Sequence, residues 1–212
     1  MKYTASLVKL NIDERIATLR ADALSRGIPV ADDETLNYLL VTLKSLRPRR
    51  ILEIGTAVGL SAAAMLYACP EATVTTMELD EDRYLEAKQN FKKLGVESRV
   101  NSYLGDAFEI LTMMDGEFDF IFLDGPKAQY EKYLYDIKRL LKKGGVLFSD
   151  DVLLYGWVSG EEETPQKRRS IVEKIKGYLD VLTNDKSFMT SVLNVGEGVA
   201  ISVYLGEEGA NK

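Results

Sequence analysis

The sequence predicts an α/β protein: a Rossmann-like, seven-stranded, mostly parallel sheet with helices on both faces and a C-terminal β-hairpin supplying one antiparallel strand. Three observations predict it. From residue 50 to 149, short β-branched and aromatic runs alternate with stretches of helical periodicity. A glycine-bearing turn, Gly55-Thr56-Ala57-Val58-Gly59, joins the first run to the first helix of that alternation. Beyond residue 165 the alternation stops, and two β-rich runs flank Val195-Gly196-Glu197-Gly198, a hairpin signal.

The elements follow in order. Leu7, Leu10, Ile16, Leu19 and Leu24 predict a helix over 7–26, ended by Gly27 and Pro29. Asp32 or Asp33 caps a second helix carrying Leu36, Leu39, Leu40, Leu43 and Leu46, closed by Arg47-Pro48-Arg49-Arg50. Strands are predicted over 50–54, 73–79, 99–104, 118–123 and 145–149, with helices near 60–68, 81–94, 106–114 and 130–142 between them. Lys142-Lys143-Gly144-Gly145 reads as a helix stop before the fifth strand. Pro165 starts a helix to about residue 182, and the hairpin pairs 187–194 with 198–205. No linker, repeat or low-complexity tract divides the 212 residues, so 1–212 reads as one domain, with N-terminal helices to 46 and a Rossmann-like core over 47–212.

Composition narrows the chemistry. There is no histidine, which excludes Ser-His-Asp and Cys-His catalysis and His-based zinc sites. Cys69 is the only cysteine; it follows an apolar helical run and reads as a helix-end core thiol. Proton transfer must therefore use Lys, Asp, Glu or Tyr, and any metal must be a hard ion on oxygen ligands. The net charge of −6 gives a polyanion no general attraction. No apolar run approaches the roughly 20 residues of a membrane span. Met1-Lys2-Tyr3-Thr4 lacks the layout of a signal peptide, so the cytoplasm is the expected compartment.

In open α/β sheets ligands bind outside the carboxyl ends of the strands, and the residues there form a set. Glu53, Gly55 and Gly59 follow the first strand with the spacing E-x-G-x-x-x-G, where dinucleotide binders carry G-x-G-x-x-G. An acid before the turn suits a cationic ligand, which points to the amino-acid end of S-adenosylmethionine; the bland reading is an ordinary strand-turn-helix. Glu78 ends the second strand, placed for ribose hydroxyls or simply exposed. Asp106-Ala107 ends the third, placed for an adenine, a helix cap, or both. Asp124 ends the fourth strand and Asp150-Asp151 the fifth; three carboxylates at one rim repel unless a divalent cation joins them, or else they cap turns singly. Lys127 stands three residues after Asp124, as a general base if burial and a cation lower its pKa, or as a solvated lysine.

These residues resemble the class I S-adenosylmethionine-dependent methyltransferases, in particular the metal-dependent O-methyltransferases of the catechol and caffeoyl-CoA type. The resemblance covers about residues 30–205. It rests on Leu52-Glu53-Ile54-Gly55-Thr56-Ala57-Val58-Gly59-Leu60-Ser61, Met77-Glu78, Gly105-Asp106-Ala107, Phe122-Leu123-Asp124-Gly125-Pro126-Lys127 and Ser149-Asp150-Asp151-Val152. It implies that Glu53, Gly55, Thr56 and Ser61 lie at the amino-acid end of the cofactor, with Glu78 on the ribose and Asp106-Ala107 on the adenine. It also implies that Asp124, Asp150 and Asp151 hold a divalent metal, Mg²⁺ first, and that Lys127 deprotonates the acceptor, with Asp124 facing both cofactor and reacting oxygen. Two departures stand out: Asp151 replaces the family's usual Asn, and Leu60 its usual aromatic.

Within that family the tail, Pro165-Gln166-Lys167-Arg168-Arg169 and Val195-Gly196-Glu197-Gly198-Val199-Ala200-Ile201-Ser202, is most similar to bacterial tRNA 5-hydroxyuridine methyltransferases. The basic run is placed to meet phosphates or is a solvated helix start. The resemblance thus implies 5-hydroxyuridine in a tRNA anticodon as acceptor, giving 5-methoxyuridine, with a small catechol-like or caffeoyl-CoA-like hydroxyl as the alternative, and a homodimer through the N-terminal helices. Two other classes are weaker: a Rossmann oxidoreductase lacks its third glycine here, and a non-catalytic RNA-binding module would leave the cofactor pocket vestigial.

Overall fold

The computed structural model describes residues 3–207, so residues 1, 2 and 208–212 of the predicted domain lie outside it. The chain opens with helices α1 (Tyr3–Ser6), α2 (Glu14–Ser25) and α3 (Asp33–Leu46). Strand and helix then alternate: β1 (Arg50–Ile54), α4 (Leu60–Ala68), β2 (Thr73–Glu78), α5 (Glu81–Leu94), β3 (Val100–Leu104), α6 (Ala107–Met113), β4 (Phe118–Leu123), α7 (Tyr130–Leu140) and β5 (Leu141–Ser149). The tail adds α8 (Arg169–Asn184), β6 (Phe188–Leu193) and β7 (Val199–Tyr204).

The strands form one seven-stranded sheet in the order β3-β2-β1-β4-β5-β7-β6. β1 to β5 pair in parallel, and β7 inserts antiparallel between β5 and β6, as the hairpin signal predicts. The side-chain period of two sorts each strand onto both faces. Ile51, Val74, Phe120, Phe122, Val146 and Phe148 point toward α2 to α5; Leu52, Ile54, Met77, Ile121, Leu123 and Leu147 point toward α6 to α8. Phe148 packs against Phe120 and Phe122, with ring centroids 6.2 and 5.7 Å apart. Burial of each such ring contributes roughly 1.5–3 kcal/mol.

Four expectations need correction. The first long helix starts at Glu14, because the Asp13 carboxylate accepts the Arg15 amide at 2.8 Å and fixes the N-cap there. Its buried positions are Ile16 and Ala23, while Leu7 and Leu24 are exposed. Leu46, predicted on the buried stripe of the next helix, is exposed in that helix's last turn, just before the left-handed Arg47 cap. The fifth strand starts at Leu141: Leu141 pairs with Phe118, and the register then shifts, so 142–145 bulge from the ladder. Asp32 is the N-cap of α3, its carboxylate accepting the Thr35 amide at 2.9 Å. Cys69 is buried at the end of α4, and burial pushes its thiol up from the usual range. Among the described residues no helix is long and apolar enough to cross a membrane.

Candidate active site

The carboxyl ends of the parallel strands open into a cavity of about 660 Å³. Gly55, Thr56, Ser61, Glu78, Asp106, Ala107, Asp124, Lys127, Asp150 and Asp151 all line it, and Glu53 does not. Residues 40 to 100 positions apart thus meet because β1, β2, β4 and β5 are neighbours in one sheet.

At the first turn the chain must pass very close to the next strand. Gly55 sits at φ +107°, and a Cβ there would lie 2.4 Å from the carbonyl oxygen of Asp124. Only glycine meets both demands. The Gly55 and Thr56 amides donate to the Met77 carbonyl, and Gly59 caps α4 in the left-handed region, so Ser61 enters the first helical turn facing the cavity.

Glu53 lies behind this turn, fully buried. It shares a sheet face with Ile51, under α4, and reaches the cavity through Ser61 and through the Thr76–Thr56 pair. The Ser61 hydroxyl donates to one carboxylate oxygen and the Thr76 hydroxyl to the other, both at 2.5 Å, and Thr76 pairs with Thr56 at 2.6 Å. Burial, with lesser help from Asp124 and Glu78, pushes Glu53 up to about 8 against the pull of its two hydroxyl partners. It holds Ser61 and Thr76 in place and does not itself contact the cavity.

Glu78 turns back on the chain. One oxygen accepts the Ala57 amide at 2.8 Å, and the other accepts Leu79 and Asp80 at 2.9 and 3.0 Å. This carboxylate therefore ties the first turn to the end of β2, and it keeps lone-pair capacity on the cavity side. Asp106 is the N-cap of α6, accepting the Phe108 amide at 2.8 Å, and it also lines the cavity with Ala107; the cap and ligand-facing readings hold together.

Across the cavity, β4 and β5 bring Asp124, Asp150 and Asp151 to one rim, with Lys127 between them. The Lys127 ammonium donates to Asp124 at 2.6 Å and stands 3.0 Å from Asp151. Asp150 is buried and accepts the Asp151 amide at 2.7 Å. Burial pushes both Asp124 and Asp150 up from the carboxylate range, Asp150 further, and their acidic neighbours add to it. Burial alone would lower Lys127; Tyr130 and the three acids outweigh it and lift it well above the ordinary lysine value. Among the described residues no three carboxylates stand close enough together to enclose a metal ion, because the ammonium occupies the space between Asp124 and Asp151.

Sequence reasoning missed three supports. The Tyr130 hydroxyl bridges the carbonyls of Leu123 and Asp150 at 3.0 and 3.1 Å, clamping the two acid-bearing strand ends together. Thr76 is one of three threonines in a strand, and nothing in the sequence sets it apart from Thr73 and Thr75. Pro29, Val30 and Ala31 line the cavity from the segment before α3; its one signal was the proline ending a helix.

The sequence pattern of the family described as O-methyltransferase matches residues 9–204. The chain belongs to that family. Among curated relatives, it is 31% identical over 195 residues to a caffeoyl-CoA O-methyltransferase of Populus kitakamiensis, covering 88% of this chain and 83% of that one. Among solved structures, a candidate caffeoyl-CoA O-methyltransferase from Staphylococcus aureus superposes with a TM-score of 0.83 at 33% identity, covering 89% of this chain and 91% of the other. The SAH-bound methyltransferase PaMTH1 of Podospora anserina superposes at 0.85 with 24% identity, covering 95% and 92%, and shows the shared fold. In this O-methyltransferase the Gly55–Ser61 turn and the Asp124–Lys127–Asp150–Asp151 group line one and the same cavity.

Proposed function

We propose that this O-methyltransferase uses S-adenosylmethionine to methylate a small catechol-like or caffeoyl-CoA-like hydroxyl with the help of a divalent cation. The observation that carries this reading is a single cavity shared by the Gly55–Ser61 turn and the Lys127 carboxylate cluster. The relatives carry the small-molecule acceptor: the Populus kitakamiensis protein is a caffeoyl-CoA O-methyltransferase. They lend nothing to the tRNA acceptor expected from the tail. Lys167, Arg168 and Arg169 are exposed, but Glu161, Glu162 and Glu163 precede them and offset their charge.

The residues lining the cavity fit the methyl donor, and for the cation it is the chemistry of the donor set that fits. The N-terminus of α4, where Leu60 and Ser61 line the cavity, is placed for the donor's carboxylate, and Ser61 and Asp124 offer oxygens for its ammonium. Asp124, Asp150 and Asp151 are an all-oxygen donor set with an excess of negative charge, as a hard divalent ion such as Mg²⁺ demands. When bound, the sulfonium supplies an activated methyl and the cation lowers the pKa of the acceptor hydroxyl. Lys127 would then serve as base: with its acid neighbours engaged by the cation, its ammonium could release a proton to solvent, and the neutral amine would accept the acceptor's hydroxyl proton. Tyr130 keeps the ends of β4 and β5 in register while this occurs. Most of the acceleration comes from this positioning. A cytoplasmic homodimer belongs to the same reading, and sedimentation of the purified chain checks the second half of it.

The test is a labelled-methyl assay with caffeoyl-CoA, a panel of catechols and tRNA lacking 5-hydroxyuridine methylation, each with and without Mg²⁺. Labelling of a small catechol or thioester supports the reading; labelling of tRNA alone overturns the acceptor assignment.

A further inference from the structure

The turn between β6 and β7, residues 195–198, lies outside the cavity and has no part in the reaction as derived above. It nevertheless touches both sides of the site. Toward the acceptor side, the segment after Asp151 hydrogen-bonds to it amide by amide. Val152 donates to the Gly198 carbonyl at 2.9 Å, and Leu153 and Leu154 donate to the Glu197 carbonyl at 2.9 and 3.1 Å. Tyr155 donates to a carboxylate oxygen of Glu197 at 2.6 Å. Gly198 is required here, since a Cβ on it would lie 2.4 Å from the Leu153 side chain.

Toward the cofactor side, Gly196 packs on the N-cap of α3. A Cβ on Gly196 would lie 2.1 Å from an Asp32 carboxylate oxygen and 2.3 Å from the Thr35 hydroxyl. The three residues before Asp32 form part of the cavity wall.

The braced segment is strained and functional in position. Asp151, Leu154 and Tyr155 all have positive φ without being glycine, at 55°, 46° and 60°. Such backbone persists only where its surroundings over-determine it. The segment leaves the cavity rim at Asp150-Asp151 and carries Tyr155 and Trp157, whose rings pack at a 51° tilt with centroids 5.0 Å apart. Tyr155 is exposed.

We infer that Glu197 is a positioning residue for the acceptor: it holds the 152–155 backbone in place where Leu154 and Tyr155 take left-handed conformations, and through Gly196 the same turn sets that segment against the wall formed by Pro29, Val30 and Ala31. This rests on the methyl-transfer reading for its kinetic arm but not for its structural arm. Glu197→Ala removes the acceptor of the Tyr155 amide and leaves the turn backbone intact. Glu197→Gln keeps an oxygen for that amide. Gly196→Ala pushes the turn off the α3 cap.

The experiment combines amide hydrogen exchange with steady-state kinetics on caffeoyl-CoA and S-adenosylmethionine. In Glu197→Ala, exchange at 153–155 rises about tenfold or more while β7 keeps its protection. Acceptor KM rises about tenfold with cofactor KM and kcat within about twofold. Glu197→Gln returns acceptor KM to within about threefold of wild type. Gly196→Ala raises both KM values. Unchanged exchange at 153–155 overturns the inference whether or not turnover is detected. A parallel loss of protection across β5 and β7, with kcat and both KM values worsening together, also overturns it by reducing Glu197 to a general stabiliser. Faster exchange confined to 153–155 with no turnover in any protein upholds the brace and removes caffeoyl-CoA as the acceptor instead.

Discussion

Around the first turn the polar groups are answered by the chain itself. Glu53 has two hydroxyl partners, Glu78 accepts three amides, and Asp106 caps its helix. Across the cavity, Asp124, Asp150 and Asp151 share one ammonium. The first region is satisfied by its own chain. The second region carries unbalanced charge, at a cost to stability. Two halves of one cavity, formed by the same sheet, thus differ: one is self-sufficient, and the other, on the reading proposed above, is left for a ligand to complete.

Four substitutions can break or sharpen this contrast. The largest effect is expected from Asp150→Asn, which keeps the oxygen for the Asp151 amide but removes a buried charge. Methyl transfer should fall by about 10²–10⁴-fold while S-adenosylhomocysteine affinity, measured by calorimetry, stays within about threefold. The melting temperature should rise, because a repelling carboxylate is gone; a drop would refute the idea that this half trades stability for chemistry. Second, Gly55→Ala should cost about 3 kcal/mol or more in urea unfolding, since the left-handed backbone and the close Asp124 carbonyl both oppose a Cβ.

Third is the pH dependence of Glu53. Its folded pKa is about 8, raised from an ordinary 4.5. The folded state therefore holds a proton that the unfolded chain releases. The stability it contributes is full below pH 4.5 and declines as pH rises through about 8. Glu53→Gln should flatten that decline, read as melting temperature between pH 5 and 8.5; an equal slope in both proteins would show Glu53 ionised in the fold. The smallest effect is Thr76→Val, which removes a hydroxyl from the Glu53 chain and should cost about 1–2 kcal/mol with little change in turnover.

The sheet was largely legible in the sequence, for physical reasons. Strands 50–54 and 118–123 are apolar on both faces and bounded by turns, and they appear with the predicted limits. The stripe over 7–26 misled because Leu10 and Ile12 pack on the core without being helical, and the Asp13 cap competes with helix continuation. The extra length of β5 was hidden by glycines that look like a stop but sit in a bulge. Ten of the site residues meet as expected because strand order alone brings them together. The position of Glu53 behind Ser61 was not legible: sequence tells which face a strand residue shares, but not that a helix will cover it. The Tyr130 clamp was hidden for the same reason, since it depends on α7 returning over two strand ends.

The insertion of β7 between β5 and β6 has a consequence for how the molecule is made. During synthesis the five parallel strands are complete about fifty residues before the strand that covers the outer edge of β5 emerges. Until then β5 is an unpaired border, an invitation to the wrong neighbour. The segment beside Asp151 also lacks its backbone partners at that stage, since these come from the 195–198 turn. A nascent chain can thus fold the wall around Gly55 early, but the backbone beside Asp151 gains its braces only after residues 195–204 have been made and threaded home.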